Sequence, residues 1–238
     1  MEDSIQEEFI STVSHELRTP LTSIRGFSQT LLNSWDRIDD ENKKKFIKII
    51  EDQSNRLINL VENILTVSKT KAGNIVFTKA DVNSAIRKIV PIFKETYKNH
   101  RLELKLETDL PPARLDEDKL QQVITNLMDN GGKYSKEGST LTITTRTEGE
   151  KIYIEVKDEG VGIKEGDFDK LFKKFSRLEN HLTSTTQGNG LGLYITKQIV
   201  ESMNGEITFK SKENEGTTFI VSFPVYNEEE ALKCLQKS

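Results

Sequence analysis

A histidine, a glutamate and a threonine near the amino terminus have the types and spacing for chemistry at an exposed imidazole. The stretch V-S-H-E-L-R-T-P-L holds His15, then Glu16 directly after it, and Thr19 one helical turn later. Another molecule could reach a ring nitrogen, and the neighbouring carboxylate could orient the ring or take its proton. The alternative is a solvated surface histidine, and this interpretation would be favoured if the histidine stood alone.

A second group of polar residues has the pattern of a phosphate and metal site. The block N-L-M-D-N-G-G-K-Y covers residues 126–134. Asn126 and Asn130 are four residues apart, so both amides project from one face of a helix. Their oxygens suit hydrated Mg²⁺, and Lys133 is placed to meet a phosphate. The alternative is an ordinary helix carboxyl terminus, where Asn, Gly and Lys are common.

Two glycine-containing blocks follow. In D-E-G-V-G-I, Asp158 ends a predicted strand and could accept a hydrogen bond from an exocyclic amine. Gly160 and Gly162 would let the backbone pass close to a flat ligand, and the alternative is a β-turn. The block G-N-G-L-G-L, residues 188–193, enters a predicted helix, whose first N–H groups suit a phosphate. It matches neither the Walker pattern nor the dinucleotide-binding fingerprint.

Heptad spacing predicts that two long helices carry the histidine. One apolar seam consists of Ile10, Val13, Leu17, Pro20, Ile24, Phe27 and Leu31. The other consists of Phe46, Ile50, Gln53, Leu57, Leu60, Ile64 and Val67. The short connection predicts an antiparallel αα-hairpin. One hairpin cannot bury both seams well, so we expect a homodimeric four-helix bundle, the alternative being a hairpin packed on its own second domain.

The heptad frame places the histidine outside this bundle and the proline inside it. His15 falls at the exposed f position, whereas Pro20 lies on the seam. A proline inside a helix costs about 3 kcal/mol and leaves a carbonyl without its usual partner, so we expect a bend there. Such a cost is more readily tolerated at a functional site.

After residue 80 the pattern changes to helices mixed with alternating strands. Helices are predicted over 81–99 and 116–130, and strands at R-L-E-L-K-L-E and in two later hairpins. The fold class is therefore α+β, a helical hairpin followed by an α/β sandwich. We expect a hairpin domain at 1–70, a linker at 71–80, a second domain at 81–225 and a tail at 226–238.

The composition limits the partners and the compartment. The formal net charge of −4 argues against nucleic acid, and no apolar run approaches a membrane span, so we expect no membrane contact by this chain. A longer parent protein could still be membrane-anchored. The single cysteine fits a reducing compartment, which favours a cytoplasmic location.

The stretch F-I-S-T-V-S-H-E-L-R-T-P-L resembles the H-box of sensor histidine kinases, the dimerisation and phosphotransfer helix. The resemblance implies that His15 is the phosphoacceptor and that Glu16 assists as a base. It also implies that Thr19 helps to place a water that dephosphorylates the partner response regulator.

The later blocks, in this order and with F-K-K-F between the last two, resemble the N, G1, F and G2 boxes of the GHKL or Bergerat ATP-binding fold. The resemblance implies ATP with Mg²⁺ held by Asn130 and helped by Asn126. It also implies a set of nucleotide contacts: Lys133, Tyr134, Asp158 on the adenine amine, Gly160, Gly162, Arg177, the backbone of Gly188, Gly190, Leu191 and Gly192 near the phosphates, and Thr217 supporting the adenine site.

The sequence departs from the family pattern at two positions. Glu159 stands where Asn is common, which puts a carboxylate near the nucleotide, and Gly132 stands where an aliphatic residue is usual. The leading hypothesis is a two-component histidine kinase core that also acts as a regulator phosphatase. The alternatives are a signalling scaffold with a degenerate nucleotide site and an ATPase of the gyrase or chaperone type, which the hairpin disfavours.

Overall fold

The structure is a computed structural model that describes residues 2–69, 75–176, 178 and 190–228. The chain divides into two compact units between Lys69 and Thr70, and each is described separately. Arg177, Gly188, residues 71–74 of the predicted linker and residues 229–238 of the predicted tail lie outside the described residues. Within the described ranges, no helix combines the length and the apolarity that crossing a bilayer would take.

The first unit is the predicted αα-hairpin. Helix α1 spans Glu2–Ser34 and helix α2 spans Asp40–Lys69, with one short 3₁₀ turn between them. Asp39 begins α2 by accepting a hydrogen bond from the backbone N–H of Asn42 at 2.9 Å. The predicted seams pack on each other: the rings of Phe27 and Phe46 are 5.1 Å apart, and Leu31 and Leu60 are buried.

Helix α1 continues through Pro20 without interruption. Pro20 is buried, as expected for a seam residue, while His15 is exposed. Because proline has no N–H, the carbonyl of Glu16, four residues earlier, lacks its usual helical donor. The hydroxyl of Thr19 does not replace this donor, because it donates to the carbonyl of His15 instead.

The second unit is built on a mixed sheet with strand order β2-β4-β5-β7-β6. Its strands are β2 Arg101–Leu106, β4 Thr140–Glu148, β5 Lys151–Lys157, β6 Glu206–Lys212 and β7 Gly216–Pro224. The β2–β4 pair is parallel, and the other pairs are antiparallel. The predicted hairpins β4–β5 and β6–β7 are both present.

Helices cover one face of this sheet, as the sandwich prediction requires. They are α3 Val82–Thr96, α4 Glu117–Lys133 and α5 Gly192–Ser202. Asp81 and Asp116 cap α3 and α4 by accepting from the backbone N–H groups of Ser84 and Lys119. Alternate residues of β5, beginning with Ile152 and Ile154, are fully buried beneath the helices.

Four details differ from the sequence prediction. Helix α3 ends at Thr96, before the predicted end at residue 99. Strand β1, Thr78–Ala80, lies within the predicted linker and pairs with the short strand β3, Ala113–Leu115, which the sequence did not predict. Three residues are too short to produce a readable alternation. Helix α4 also continues beyond its predicted end, through Gly131 and Gly132 to Lys133.

Candidate active site

The exposed imidazole of His15 stands beside two side chains that already have partners. Thr19 Oγ1 donates to the carbonyl oxygen of His15 at 3.3 Å. Glu16 Oε2 accepts a hydrogen bond from Arg56 Nη2 of α2 at 3.1 Å, and both side chains are about three-quarters buried. The ion pair connects the two helices of the hairpin. The predicted base is therefore held by Arg56, a residue that the sequence analysis did not single out.

In the second unit, a buried carboxylate follows the end of β5. Asp158 is only 7% exposed. Its Oδ1 accepts hydrogen bonds from the backbone N–H of Gly160 at 2.8 Å and of Thr217 at 3.0 Å. Oδ2 accepts no hydrogen bond from the residues that the structure describes. The arrangement fixes one oxygen and leaves the other for an external donor, such as an exocyclic amine.

Burial dominates the acidity of this carboxyl group. Desolvation raises the pKa of Asp158 to about 6, although the N–H groups of Gly160 and Thr217 act in the opposite direction. The carboxyl group of Asp158 therefore titrates at mildly acidic pH.

The glycines of this block have a structural reason that differs from the predicted one. A Cβ at Gly160 would lie 2.4 Å from the carbonyl oxygen of Tyr134. Gly162 has a φ of +63°, and a Cβ there would lie 2.0 Å from the carbonyl oxygen of Lys212. Both glycines thus allow close contact with neighbouring backbone, whereas the sequence analysis assigned them to the approach of a flat ligand.

Thr217 connects this block to the β6–β7 hairpin. Its backbone carbonyl accepts from the N–H of Asp158 at 2.8 Å, and its Oγ1 lies 2.9 Å from Ser211 Oγ. Ser211 Oγ also accepts from the backbone N–H of Ile163 at 2.9 Å. Ser211 was missed because no motif contains it and because one of its partners, Ile163, is 48 residues away in sequence.

Asn126 connects α4 with α5. Its amide Nδ2 donates to Thr196 Oγ1 at 2.6 Å, and a Cβ at Gly192 would lie 2.7 Å from its Oδ1. The structure thus brings Asn126 together with the start of α5, which includes the last glycine of the G2 block. Thr196 is buried and was not predicted from the sequence.

The other residues predicted for this site lie nearby in the chain. Asn130 and Lys133 are in the last turns of α4, and Tyr134 caps that helix by donating its backbone N–H to the carbonyl of Asn130 at 3.0 Å. Lys133 Nζ is paired with Asp129 Oδ2. Leu191 is fully buried immediately before α5, and Gly190 has a φ of +67°.

The carboxylate of Glu159 has a structural role. Its Oε2 accepts a hydrogen bond from the backbone N–H of Thr140, the first residue of β4, at 2.8 Å. One oxygen of Glu159 is thereby engaged at the start of β4, and the expectation that its charge lies near the nucleotide stays a prediction. The departure at Gly132 also has a contact that explains it, with the ring of Tyr97.

The donor set is chemically suitable for a magnesium nucleotide. Asp158 offers a free carboxylate oxygen in a buried position, which is what recognition of an amine edge requires. Asn126 and Asn130 supply amide oxygens, the hard ligands that Mg²⁺ accepts alongside water. Lys133 supplies a cation for a phosphate. No feature of these residues conflicts with ATP.

Comparison with known proteins matches both units to described families. Residues 5–73 match the His Kinase A (phospho-acceptor) domain. Residues 115–227 match the family described as histidine kinase-, DNA gyrase B-, and HSP90-like ATPase.

Individual relatives agree with these matches. Sensor histidine kinase WalK of Bacillus subtilis is 34% identical over 237 residues, covering 96% of this chain and 38% of WalK. Histidine kinase AdeS of Acinetobacter baumannii is similar in structure, with a TM-score of 0.72 and 25% identity over 90% of this chain and 98% of that one.

A third comparison concerns the fold alone. Histidine kinase ThkA, solved in complex with response regulator protein TrrA, has a TM-score of 0.73 and 24% identity over 94% of this chain and 63% of that one. The chain spans 25% to 38% of the length of the curated relatives that it matches.

Proposed function

The chain belongs to the sensor histidine kinase family, and from that premise we propose that it catalyses autophosphorylation, in which the γ-phosphoryl group of Mg·ATP passes to His15. The observation that carries this proposal is the exposed imidazole of His15 within the matched phospho-acceptor segment. The nucleotide site of the second unit supplies the other half of the reaction.

ATP binding is assigned to the residues around Asp158. The free Oδ2 of Asp158 accepts the adenine amine, and Thr217 holds the opposite side of this carboxylate in place. Asn130, with Asn126, would hold Mg²⁺, which would neutralise phosphate charge. Lys133 and Tyr134 adjoin the nucleotide. Gly190, Leu191 and Gly192 would face the phosphates. The resemblance also assigns Gly188 and Arg177 to the nucleotide, and both lie outside the described residues.

The transfer itself needs positioning more than covalent help from the protein. A lone pair on an imidazole nitrogen of His15 forms the new N–P bond while the bond to the leaving oxygen of ADP breaks. The imidazole proton then passes to Glu16. Because Arg56 donates to Oε2 of Glu16, the proton passes either to Oε1 or, once the ion pair with Arg56 has opened, to Oε2.

The proposed partners are a second copy of the chain and a response regulator. Several apolar side chains of α2 are about half exposed in the single chain, which supports a dimeric bundle: Ile47, Ile58, Val61 and Leu65. The phosphoryl group would pass to an aspartate of the regulator, and Thr19 would assist its later hydrolysis. ThkA, which has the same fold, is known in complex with TrrA, a response regulator. A cytoplasmic location remains part of this proposal.

Incubation with γ-labelled Mg·ATP tests the proposal. The expected label is acid-labile and base-stable, as a phosphoramidate is, and it is absent from His15→Ala. The matched control is Thr22→Ala, which changes an exposed hydroxyl two turns away on the same helix. A label of equal intensity in His15→Ala would overturn the proposal. If the label depends on His15, transfer of the wild-type label to receiver domains would identify the regulator.

A further inference from the structure

A tyrosine outside the motifs packs against the nucleotide-binding helix. Tyr97 immediately follows α3 as its C-cap residue, and its ring lies on Gly132 of α4. A Cβ at position 132 would lie 2.6 Å from the ring carbons Cδ1 and Cε1. Any larger residue at 132 would therefore displace the ring. The aromatic ring of Tyr97 thus fills the space that a side chain at Gly132, the position that departs from the family pattern, would occupy.

The ring is held in that position by its neighbours. Its centroid is 5.0 Å from that of Phe93 and 5.6 Å from that of His100, the latter in an edge-to-face arrangement. Phe93 is itself buried in the core. The hydroxyl of Tyr97 is thus delivered to a defined point on α4.

At that point a chain of hydrogen bonds begins. Tyr97 Oη donates to Asp129 Oδ1 and lies 3.2 Å from the backbone carbonyl oxygen of Asp129. The other carboxylate oxygen, Oδ2, pairs with Lys133 Nζ one helical turn later. Burial and the adjacent carboxylate raise the pKa of Tyr97 well above its usual value, so the hydroxyl stays protonated as a donor.

We propose that Tyr97 is a positioning residue for the phosphates of the nucleotide, because its hydroxyl orients Asp129, which in turn orients the ammonium group of Lys133. The proposal rests on the proposed function, in which Lys133 meets a phosphate. It adds two residues to the site that none of the sequence motifs singles out for a role.

The physical reason is the flexibility of lysine. A lysine side chain has four rotatable bonds, and fixing it on a phosphate costs conformational entropy. A carboxylate with one oxygen anchored by Tyr97 presents its second oxygen in a fixed direction. Lys133 is only 35% exposed and is already confined before the nucleotide arrives. The tyrosine therefore compensates for the helix end that paired glycines would loosen.

Tyr97→Phe tests this inference, because it keeps the ring over Gly132 and removes only the hydroxyl. The measurement is the affinity of the whole chain for Mg·ATP and, separately, for adenosine, which has no phosphate. We expect affinity for Mg·ATP to fall about fivefold and affinity for adenosine to be unchanged. Tyr153→Phe is the matched control, since Tyr153 is on β5 and its ring is covered by Arg146. It should leave both affinities unchanged.

A second variant makes the result specific to the proposed chain of contacts. In an Asp129→Asn background the carboxylate link is already lost, so adding Tyr97→Phe should have no further effect on Mg·ATP affinity. Equal losses for ATP and adenosine, no loss for ATP, or additive effects of the two substitutions would overturn the inference. The two proposals can fail separately, because this test measures binding and not phosphorylation. If the wild-type chain binds Mg·ATP but His15 is not labelled, the proposed function fails and the assignment of Tyr97 stands.

Discussion

Asp158 shows how a single buried carboxyl group sets the working range of the site. Its pKa is raised to about 6, so it is protonated in part at mildly acidic pH. Because Oδ1 accepts two backbone N–H groups, the proton resides on Oδ2, where it removes the acceptor for the adenine amine. Nucleotide recognition and protonation therefore exclude each other.

We accordingly predict that affinity for adenosine falls as the pH is lowered through 6, by up to about tenfold per unit. Adenosine is the probe because the phosphates of ATP also titrate in this range. Isothermal titration between pH 5 and 8 measures the effect. Asp158→Asn should bind weakly with a flat profile. A wild-type profile as flat as that of the variant would contradict the assignment.

The same carboxyl group affects stability with the opposite trend. The native state binds the proton more tightly than the unfolded chain, whose carboxyl has the ordinary pKa of 3.8. The contribution of Asp158 to the free energy of unfolding is therefore favourable at low pH and falls as the pH rises from 3.8 to about 6.

Glu159 gives a second prediction at the residue scale. Its carboxylate accepts from the N–H of Thr140, so Glu159→Asn, one methylene shorter, should lower the free energy of unfolding of the second unit by about 0.5–1 kcal/mol. Affinity for Mg·ATP should not change. Glu159→Gln, which keeps the reach, is the control for chemical denaturation. Stronger ATP binding by Glu159→Asn would show that the carboxylate acts on the nucleotide after all.

The residues of the site differ in how far the sequence could predict them. The exposure of His15 followed from heptad spacing, because that pattern is local and periodic. Tyr97, Ser211 and Thr196 could not be found in this way. Each has at least one partner that is distant in sequence, Asp129 for Tyr97, Ile163 for Ser211 and Asn126 for Thr196. Neither periodicity nor a short motif records such a contact.

At the scale of the element, Pro20 is the least ordinary feature. Helix α1 continues through it, and the carbonyl of Glu16, beside the phosphoacceptor, lacks its usual donor. The Pro20→Ala substitution would restore that helical hydrogen bond. We predict a stiffer hairpin whose free energy of unfolding rises by up to about 3 kcal/mol. The loss of packing by the buried proline ring would reduce this gain.

Stiffening should also alter the balance of kinase and phosphatase activity, if the helix flexes at this position during the reaction cycle. The measurement is the ratio of autophosphorylation rate to the rate of regulator dephosphorylation, with Pro91→Ala of α3 as the matched proline control. Unchanged rates of both reactions would leave Pro20 as a packing residue only.

At the scale of the whole molecule, the sequence predicted the two kinds of architecture because their periods differ. The hairpin has an apolar period near 3.5 residues, whereas the strands of the second unit alternate with period 2. The strand order β2-β4-β5-β7-β6 was not predictable, since it depends on which strands pair across long connections. The strand β1 was assigned to a linker for the same reason: its partner β3 is distant in sequence.

The central claim is that the second unit phosphorylates one histidine of the first. The most direct test is to incubate the whole chain with Mg·ATP, digest it at neutral to mildly basic pH, where phosphohistidine survives, and locate the added phosphoryl group by tandem mass spectrometry. The account predicts a single phosphoryl group, on the imidazole of His15. A phosphoryl group on His100, His181 or a hydroxyl side chain, with His15 unmodified, would contradict it.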